Sequence, residues 1–488
     1  MKFPDLPIYT GFNAPGRLEA DIRDLEVEGE VPSDIDGTFY RVAPDPQYPP
    51  RLGTDIYFNG DGIITMFRFK DGHVDYKSRY VRTDKFQLER AARKALFGAY
   101  RNPYTDDPSV EGRIRSTANT NIVFHAGQLL ALKEDSPPVA MDPDTLETRG
   151  NWTFDGMLTS KTFTAHPKFD PGTGEMICFG YGAKGETTPD VAYYVVDAAG
   201  RIIHEAWFKV PYTCMIHDFA VTQDFVVFPI VPITNDLERL KAGGVHYMWD
   251  GSKDVYLGVL PRYGEGKDVR WFRGPNRFAS HIMNAFNDGR KIYVDSPVAE
   301  SNMFPFFPDI TGKPFDREKA ASRLSRWSID LDSNNEGFEQ SQLYTVVGEF
   351  PRIDDRYAMQ SYRHGYMAAH DPALPFALKG GSITGMFFNT LAHVDHATGK
   401  TDTYFVGPTS GFQEPVFIPR SANAPEGDGY LAALANRYDE MRSDLVILDA
   451  MRLADGPVAT VRLPLRLRAG LHGNWVPGDH LSAQPSTA

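Results

Sequence analysis

Short apolar strands joined by tight turns containing Gly or Asp recur along the whole chain, and this grammar confines it to an all-β fold. Val191-Ala-Tyr-Tyr-Val-Val, for example, runs into Asp197-Ala-Ala-Gly200 and continues as Arg201-Ile-Ile-His-Glu-Ala-Trp-Phe. The pattern returns at Phe67-Arg-Phe-Lys-Asp-Gly, at Asn287-Asp-Gly-Arg-Lys-Ile-Tyr-Val and at His396-Ala-Thr-Gly-Lys. With 43 Gly and 36 Pro the chain is broken into many short strands and turns. No blade motif repeats at a constant period, so the pattern alone leaves a sandwich and a propeller both open. One stretch departs from the grammar. Phe86, Leu88, Ala91, Ala92, Ala95, Leu96 and Ala99 lie at helical spacing among the charges of Lys85, Glu89, Arg90, Arg93 and Lys94. A helix from Lys85 to Tyr100 is predicted there, covering one face or rimming an entrance. No linker divides the 488 residues, so 1–488 is expected to form one domain, with a small polar tail, about 477–488, disordered.

The formal net charge of −13 argues against a nucleic-acid partner, which would need a concentrated basic face. Cys178 and Cys214 lack the Cys-x-x-Cys spacing of a zinc or redox site and read as buried free thiols in a reducing compartment. Neither a secretory leader nor a run of about 18 apolar residues is found, so a soluble cytoplasmic protein without stable membrane insertion is expected. Met303-Phe-Pro-Phe-Phe-Pro308 is an apolar cluster with two readings, a membrane-dipping loop or the wall of an internal tunnel, and the tunnel or core is the one expected.

Any single histidine is more often solvated or packed than bound to metal. Four of the 13 stand out by their settings: Thr-Ala-His166-Pro-Lys-Phe-Asp, Met-Ile-His217-Asp-Phe, Ser-His281-Ile-Met-Asn-Ala-Phe and Gly-Leu-His472-Gly-Asn-Trp. Three acids keep them company: Leu-Lys-Glu134-Asp, Gly-Glu349-Phe-Pro-Arg and Gln-Glu414-Pro-Val-Phe-Ile-Pro. Further motifs span nearly the whole chain, among them Gly37-Thr-Phe-Tyr-Arg-Val-Ala-Pro-Asp-Pro, Phe58-Asn-Gly-Asp-Gly and Ala118-Asn-Thr-Asn-Ile-Val-Phe-His. In type and order this set resembles the carotenoid cleavage oxygenase family. The resemblance implies a seven-bladed β-propeller with a dome of loops and short helices over an axial metal site. It also implies a ferrous ion, Fe(2+), held by His166, His217, His281 and His472, with Glu134, Glu349 and Glu414 orienting the imidazoles from outside. Four neutral ligands leave the ion its full charge and room for dioxygen, and carboxylates that accept the outward N–H fix each ring's tautomer. With three carboxylates for four rings, one histidine must lean on something else. Thr120 corresponds to a threonine beside the open coordination positions.

The implied activity is oxidative scission of a carbon–carbon double bond by O2 into two carbonyl products. Carotenoid cleavers commonly carry an uncharged, often aromatic residue before the first glutamate, whereas this chain has Lys133. A cation next to that shell is costly without a partner, and a substrate hydroxyl is a good reason for one. Lys133, Tyr100 and Phe58 resemble the substrate-contacting trio of the lignostilbene-α,β-dioxygenase branch, in which lysine and tyrosine hydrogen-bond a ring hydroxyl while phenylalanine packs on the ring. The resemblance therefore implies cleavage of the central double bond of a 4-hydroxystilbene, of lignostilbene or resveratrol type. A salt bridge from Lys133 to Glu134, Asp135 or Asp142 is the competing reading of that residue. The branch includes homodimers, a state the resemblance carries over and no residue here argues for. An apocarotenoid oxygenase with the same iron site is the first alternative; a non-catalytic propeller serving as an interaction platform is the second.

Overall fold

Alternation along the strands shows why the sheets stack as they do. The strands Lys168–Phe169, Met176–Tyr181, Asp190–Val196 and Ile202–Lys209 pair antiparallel in sequence order, and the two central ones are buried along their whole length. Side chains of a strand point alternately to opposite faces. Thus Ile177, Phe179, Val191, Tyr193 and Val195 enter one apolar core with Val226, Phe228 and Ile230 of the next sheet. Met176, Cys178, Ala192, Tyr194 and Val196 enter another with Val123, Leu130 and Leu132 of the preceding sheet. The sheet is the filling between two neighbours, which is the packing of a propeller blade. Cys178 and Cys214 are both buried and free.

In the computed structural model, which describes residues 1–376 and 387–482, this arrangement closes on itself. Among the described residues the blades are built on the strands of 37–80, 121–151, 168–209, 220–274, 278–342, 347–405 and 410–462. The fifth and sixth share one eight-stranded sheet because the 15-residue strand Glu339–Ile353 pairs with Arg323–Asp330 at its start and with His364–His370 at its end. Each neighbouring pair encloses its own apolar core, and one of these cores joins Phe39, Phe67 and Phe69 of the first blade to Val416, Ala432 and Leu445 of the seventh. Both ends of the chain stitch the ring. Glu26–Gly29 adds to Pro457–Arg462 in the last blade, and Gly473–Pro477 adds to Gly37–Pro44 in the first. The all-β, seven-bladed propeller expected from the family resemblance is the observed fold.

The helix is shorter than its periodicity implied. It runs Asp84–Ala92, capped by the Thr83 side chain accepting from Phe86 N, and stops where Arg93 turns left-handed at φ 55°. The cause is tertiary: Glu89 is buried, and its carboxylate accepts from the amides of Leu96 at 2.9 Å and Phe97 at 3.0 Å, drawing the chain off the helix axis. Lys85 and Glu89 are not solvated charges either. Lys85 Nζ lies 2.9 Å from both Asp61 and Glu89, and this buried triad pins the helix against the first blade. The tail also differs from expectation, since Gly478–Ser482 continues as a short helix; the rest of that expectation, 483–488, lies outside the described residues. No helix of the described residues is long and apolar enough to cross a membrane.

Candidate metal centre and substrate pocket

The seven residues singled out around the metal come from seven different blades. His166, His217 and His281 each precede or flank a two-residue edge strand, Lys168–Phe169, Ala220–Val221 and Phe278–Ala279, and His472 immediately precedes Gly473–Pro477. All four edges face the axis. Glu134 follows the strand Gln128–Leu132, while Glu349 and Glu414 sit at β-bulges in Glu339–Ile353 and Ser410–Pro419, where the irregular ladder re-aims the side chain.

Ligand atoms of the four histidines lie within 4.8 Å of one another. The Nε2 atom of His217 is 3.1 Å from those of both His166 and His281. Adjacent imidazoles on one ion, with bonds of about 2.0–2.1 Å, stand about 3 Å apart, so the spacing fits a metal. The donor chemistry fits too. Burial together with three neighbouring imidazoles holds His166 well below the usual histidine range, in its neutral, lone-pair form.

The outward nitrogens are where the rings differ. His217 Nδ1 donates to Glu134, His281 Nδ1 to Glu349 at 2.6 Å, and His472 Nδ1 to Glu414 at 2.9 Å. His166 is the ring without a carboxylate, the point that sequence could not assign. Glu134 is buried, yet His217 beside it and Arg101 at 3.7 Å outweigh the desolvation and hold it down to about 2. Glu414 has Arg352 at 3.7 Å in the same position, and Glu349 accepts from Ser280 Oγ at 2.6 Å.

A cavity of about 650 Å³, its mouth included, opens on the histidines. Phe58, Tyr100, Thr120 and Lys133 line it together, although they come from a 3₁₀ turn (Tyr57–Asn59), the loop after the helix, and the flanks of two strands of the second blade. Lys133 makes none of the salt bridges that competed for it. Its Nζ donates to Asn119 Oδ1 at 3.0 Å and to the Phe58 carbonyl at 3.2 Å, and lies 5.0 Å from the centre of the Tyr100 ring. Desolvation, partly offset by Asp135 and Glu134, lowers it to about 8. Burial and the Glu134 charge push Tyr100 far up, so its hydroxyl keeps its proton.

The remaining wall is apolar except for Ser280, whose hydroxyl donates to Glu349. Phe304 and Phe307 are buried in it, 7% and 4% exposed, so the Met303–Pro308 segment is tunnel wall at these two rings. Met215, Phe350 and Leu471 complete the wall and were not singled out from the sequence. Phe350 had a signal, its position directly after Glu349: its ring stacks on His281 at 5.4 Å and meets His472 edge-on at 5.5 Å, from a backbone at φ 54° that an aromatic residue rarely adopts. Asn119 had a comparable signal, its position directly before Thr120 in the Ala118-Asn-Thr-Asn motif.

Comparison with known proteins gives a consistent set. The family model described as retinal pigment epithelial membrane protein matches residues 13–477. Lignostilbene-alpha,beta-dioxygenase isozyme III of Sphingomonas paucimobilis is 53% identical over 98% of this chain and 99% of its own length. Isoeugenol monooxygenase of Pseudomonas putida is 51% identical over 96% and 98%. Among solved structures, the lignostilbene dioxygenase of Pseudomonas brassicacearum superposes with a TM-score of 0.95 at 49% identity, covering 98% of this chain and all of that one.

Proposed function

Because this chain belongs to the carotenoid cleavage oxygenase family and is an oxygenase that splits carbon–carbon double bonds, we propose that its substrate is a 4-hydroxystilbene of lignostilbene or resveratrol type, cleaved at the central bond by O2 to two aromatic aldehydes. The observation that carries the reading is Lys133: a buried amine with neutral acceptors only, lining a largely apolar cavity together with Tyr100 and Phe58. A non-catalytic platform is set aside by the family.

His166, His217, His281 and His472 would hold the metal, which we take to be Fe(2+); bound there it would supply the redox and Lewis-acid chemistry that activates O2. The protein's part is to present the alkene. Lys133, near its own titration midpoint, takes or shares the proton of the ring hydroxyl, and the ion pair so formed keeps negative charge on that oxygen. Electron density then flows through the ring to the double bond and makes it the better nucleophile. Tyr100 acts as a donor to the same oxygen and not as a base, since its proton is held. Phe58, itself held edge-on by Phe304 at 5.9 Å and Phe306 at 5.1 Å, packs against the ring. Glu134, Glu349 and Glu414 fix the imidazoles, and Thr120, on the cavity wall with them, would limit access to the bound metal. The chain works as one domain and, as in its branch, as a cytoplasmic homodimer.

A second reading is favoured by the asymmetry of the cavity. Lys133 and Tyr100 offer the cavity one anchor for a ring hydroxyl, whereas Met215, Phe350 and Leu471 offer none. A 4-hydroxyphenylpropene, the chemical class of the isoeugenol named for the monooxygenase relative, would use the same anchor and leave the apolar wall unfilled. The test is aldehyde formation with O2 uptake on a 4-hydroxystilbene, its 4-methoxy analogue, a 4-hydroxyphenylpropene and an apocarotenal. The stilbene reading expects the hydroxylated stilbene to be fastest by at least tenfold. Faster phenylpropene cleavage would install the second reading, and apocarotenal cleavage would overturn both.

A further inference from the structure

Asn119 is wholly buried, with no exposed surface, and all four of its side-chain hydrogen-bonding positions are used. Its Nδ2 donates to the Phe58 carbonyl at 2.8 Å and the Gly60 carbonyl at 2.6 Å. Its Oδ1 accepts from Lys133 Nζ at 3.0 Å and from Thr120 Oγ1 at 3.2 Å. Two carbonyls on one side and two donors on the other allow the amide only one orientation. Three segments distant in sequence, 58–60, 119–120 and 133, are therefore tied at one side chain, and each of them carries a residue that lines the cavity.

We propose that Asn119 is the positioning residue of the phenol anchor: without touching substrate, its amide aims Lys133 and holds the Phe58 turn, and so sets the preference for a free ring hydroxyl. The inference rests on the reading of Lys133 given above. The geometry supplies the reason. An amine nitrogen is tetrahedral, and here two of its N–H bonds are spent on the oxygens of Asn119 and Phe58. One position is left over. As an ammonium it offers its third N–H there, to a phenolate; as an amine it offers its lone pair, to a phenol. An acid in place of Asn119 would hold the ammonium permanently and compete with the phenolate. The other charged groups acting on Lys133 are Glu134 and Asp135, which favour its cationic form, and Arg101 and Arg115, which oppose it, with the Tyr100 ring alongside. None of them touches Nζ as Asn119 does.

The test uses iron-loaded full-length protein titrated without oxygen with trans-4-hydroxystilbene and trans-4-methoxystilbene, together with iron content and the pH profile of kcat/KM, for Asn119→Ser, Asn119→Asp and Lys133→Ala. The expected result is a preference for the hydroxy compound of tenfold or more in the unaltered protein, cut to threefold or less in Asn119→Ser at unchanged iron content. Asn119→Asp should move the lower pH limb upward by at least one unit. If Lys133→Ala loses the preference while both Asn119 variants keep it and the pH limb, the positioning role is overturned and the lysine anchor stands. If Lys133→Ala itself keeps the preference, the anchor fails and the inference with it. Loss of iron in both Asn119 variants would assign the residue to the scaffold and equally overturn its role.

Discussion

The metal site and the phenol anchor of one cavity handle buried charge in opposite ways. At the metal site, three of four imidazoles are backed by carboxylates, and two of these are backed in turn by arginines, Arg101 behind Glu134 and Arg352 behind Glu414, each 3.7 Å away. At the phenol anchor the buried Lys133 has only neutral oxygens. A charged partner fixes a group's state, as suits imidazoles that must present one nitrogen in one tautomer. Neutral partners satisfy the hydrogen bonds and leave the charge uncommitted, as suits a group that must change partners when substrate arrives. The unpaired cation is thus a functional choice and not a packing defect.

This contrast can be broken most sharply at the lysine. Lys133→Ala should lower kcat/KM on a 4-hydroxystilbene by about 10²–10⁴-fold, the range of lost proton transfer, and leave iron content intact; steady-state aldehyde formation alongside metal analysis decides it, and equal loss of iron would erase the distinction between the two sites. Glu349→Gln should act the other way round, weakening metal retention by about 10–100-fold in chelator competition while the remaining holoenzyme keeps its preference for the hydroxyl. The contrast is sharpened by pH. With Lys133 lowered to about 8, kcat/KM should rise through that value and fall as the substrate phenol ionises near about 10; a profile flat across 7–9 would show that the lysine does not titrate in the free enzyme. Smallest is Tyr100→Phe, which removes one neutral donor worth about 1 kcal/mol, or about fivefold, read chiefly in KM.

How far the sequence spoke follows the same division. The four histidines and three glutamates were legible as a set because each stands in a motif that resembles the family's, and the structure brings them together. Which ring goes without a carboxylate was not legible, because pairing runs between blades: Glu134 of the second reaches His217 of the fourth, and His166 of the third is left over. The blade number could not be read from periodicity. Alternate residues of one strand belong to different cores, Ile177 to one and Cys178 to another, and the fifth and sixth blades share a strand. The helix end was hidden for a tertiary reason, the burial of Glu89. Asn119 stood in a quoted motif beside Thr120, but its role was hidden, since its four partners come from three segments that only the fold brings together.

The strand Gly473–Pro477 that closes the ring follows directly on His472. A nascent chain that has not yet emerged past this point owns three of the four imidazoles and lacks the edge that seats the fourth. The full set of four imidazoles is thereby tied to closure of the ring, so that an open ring presents only three.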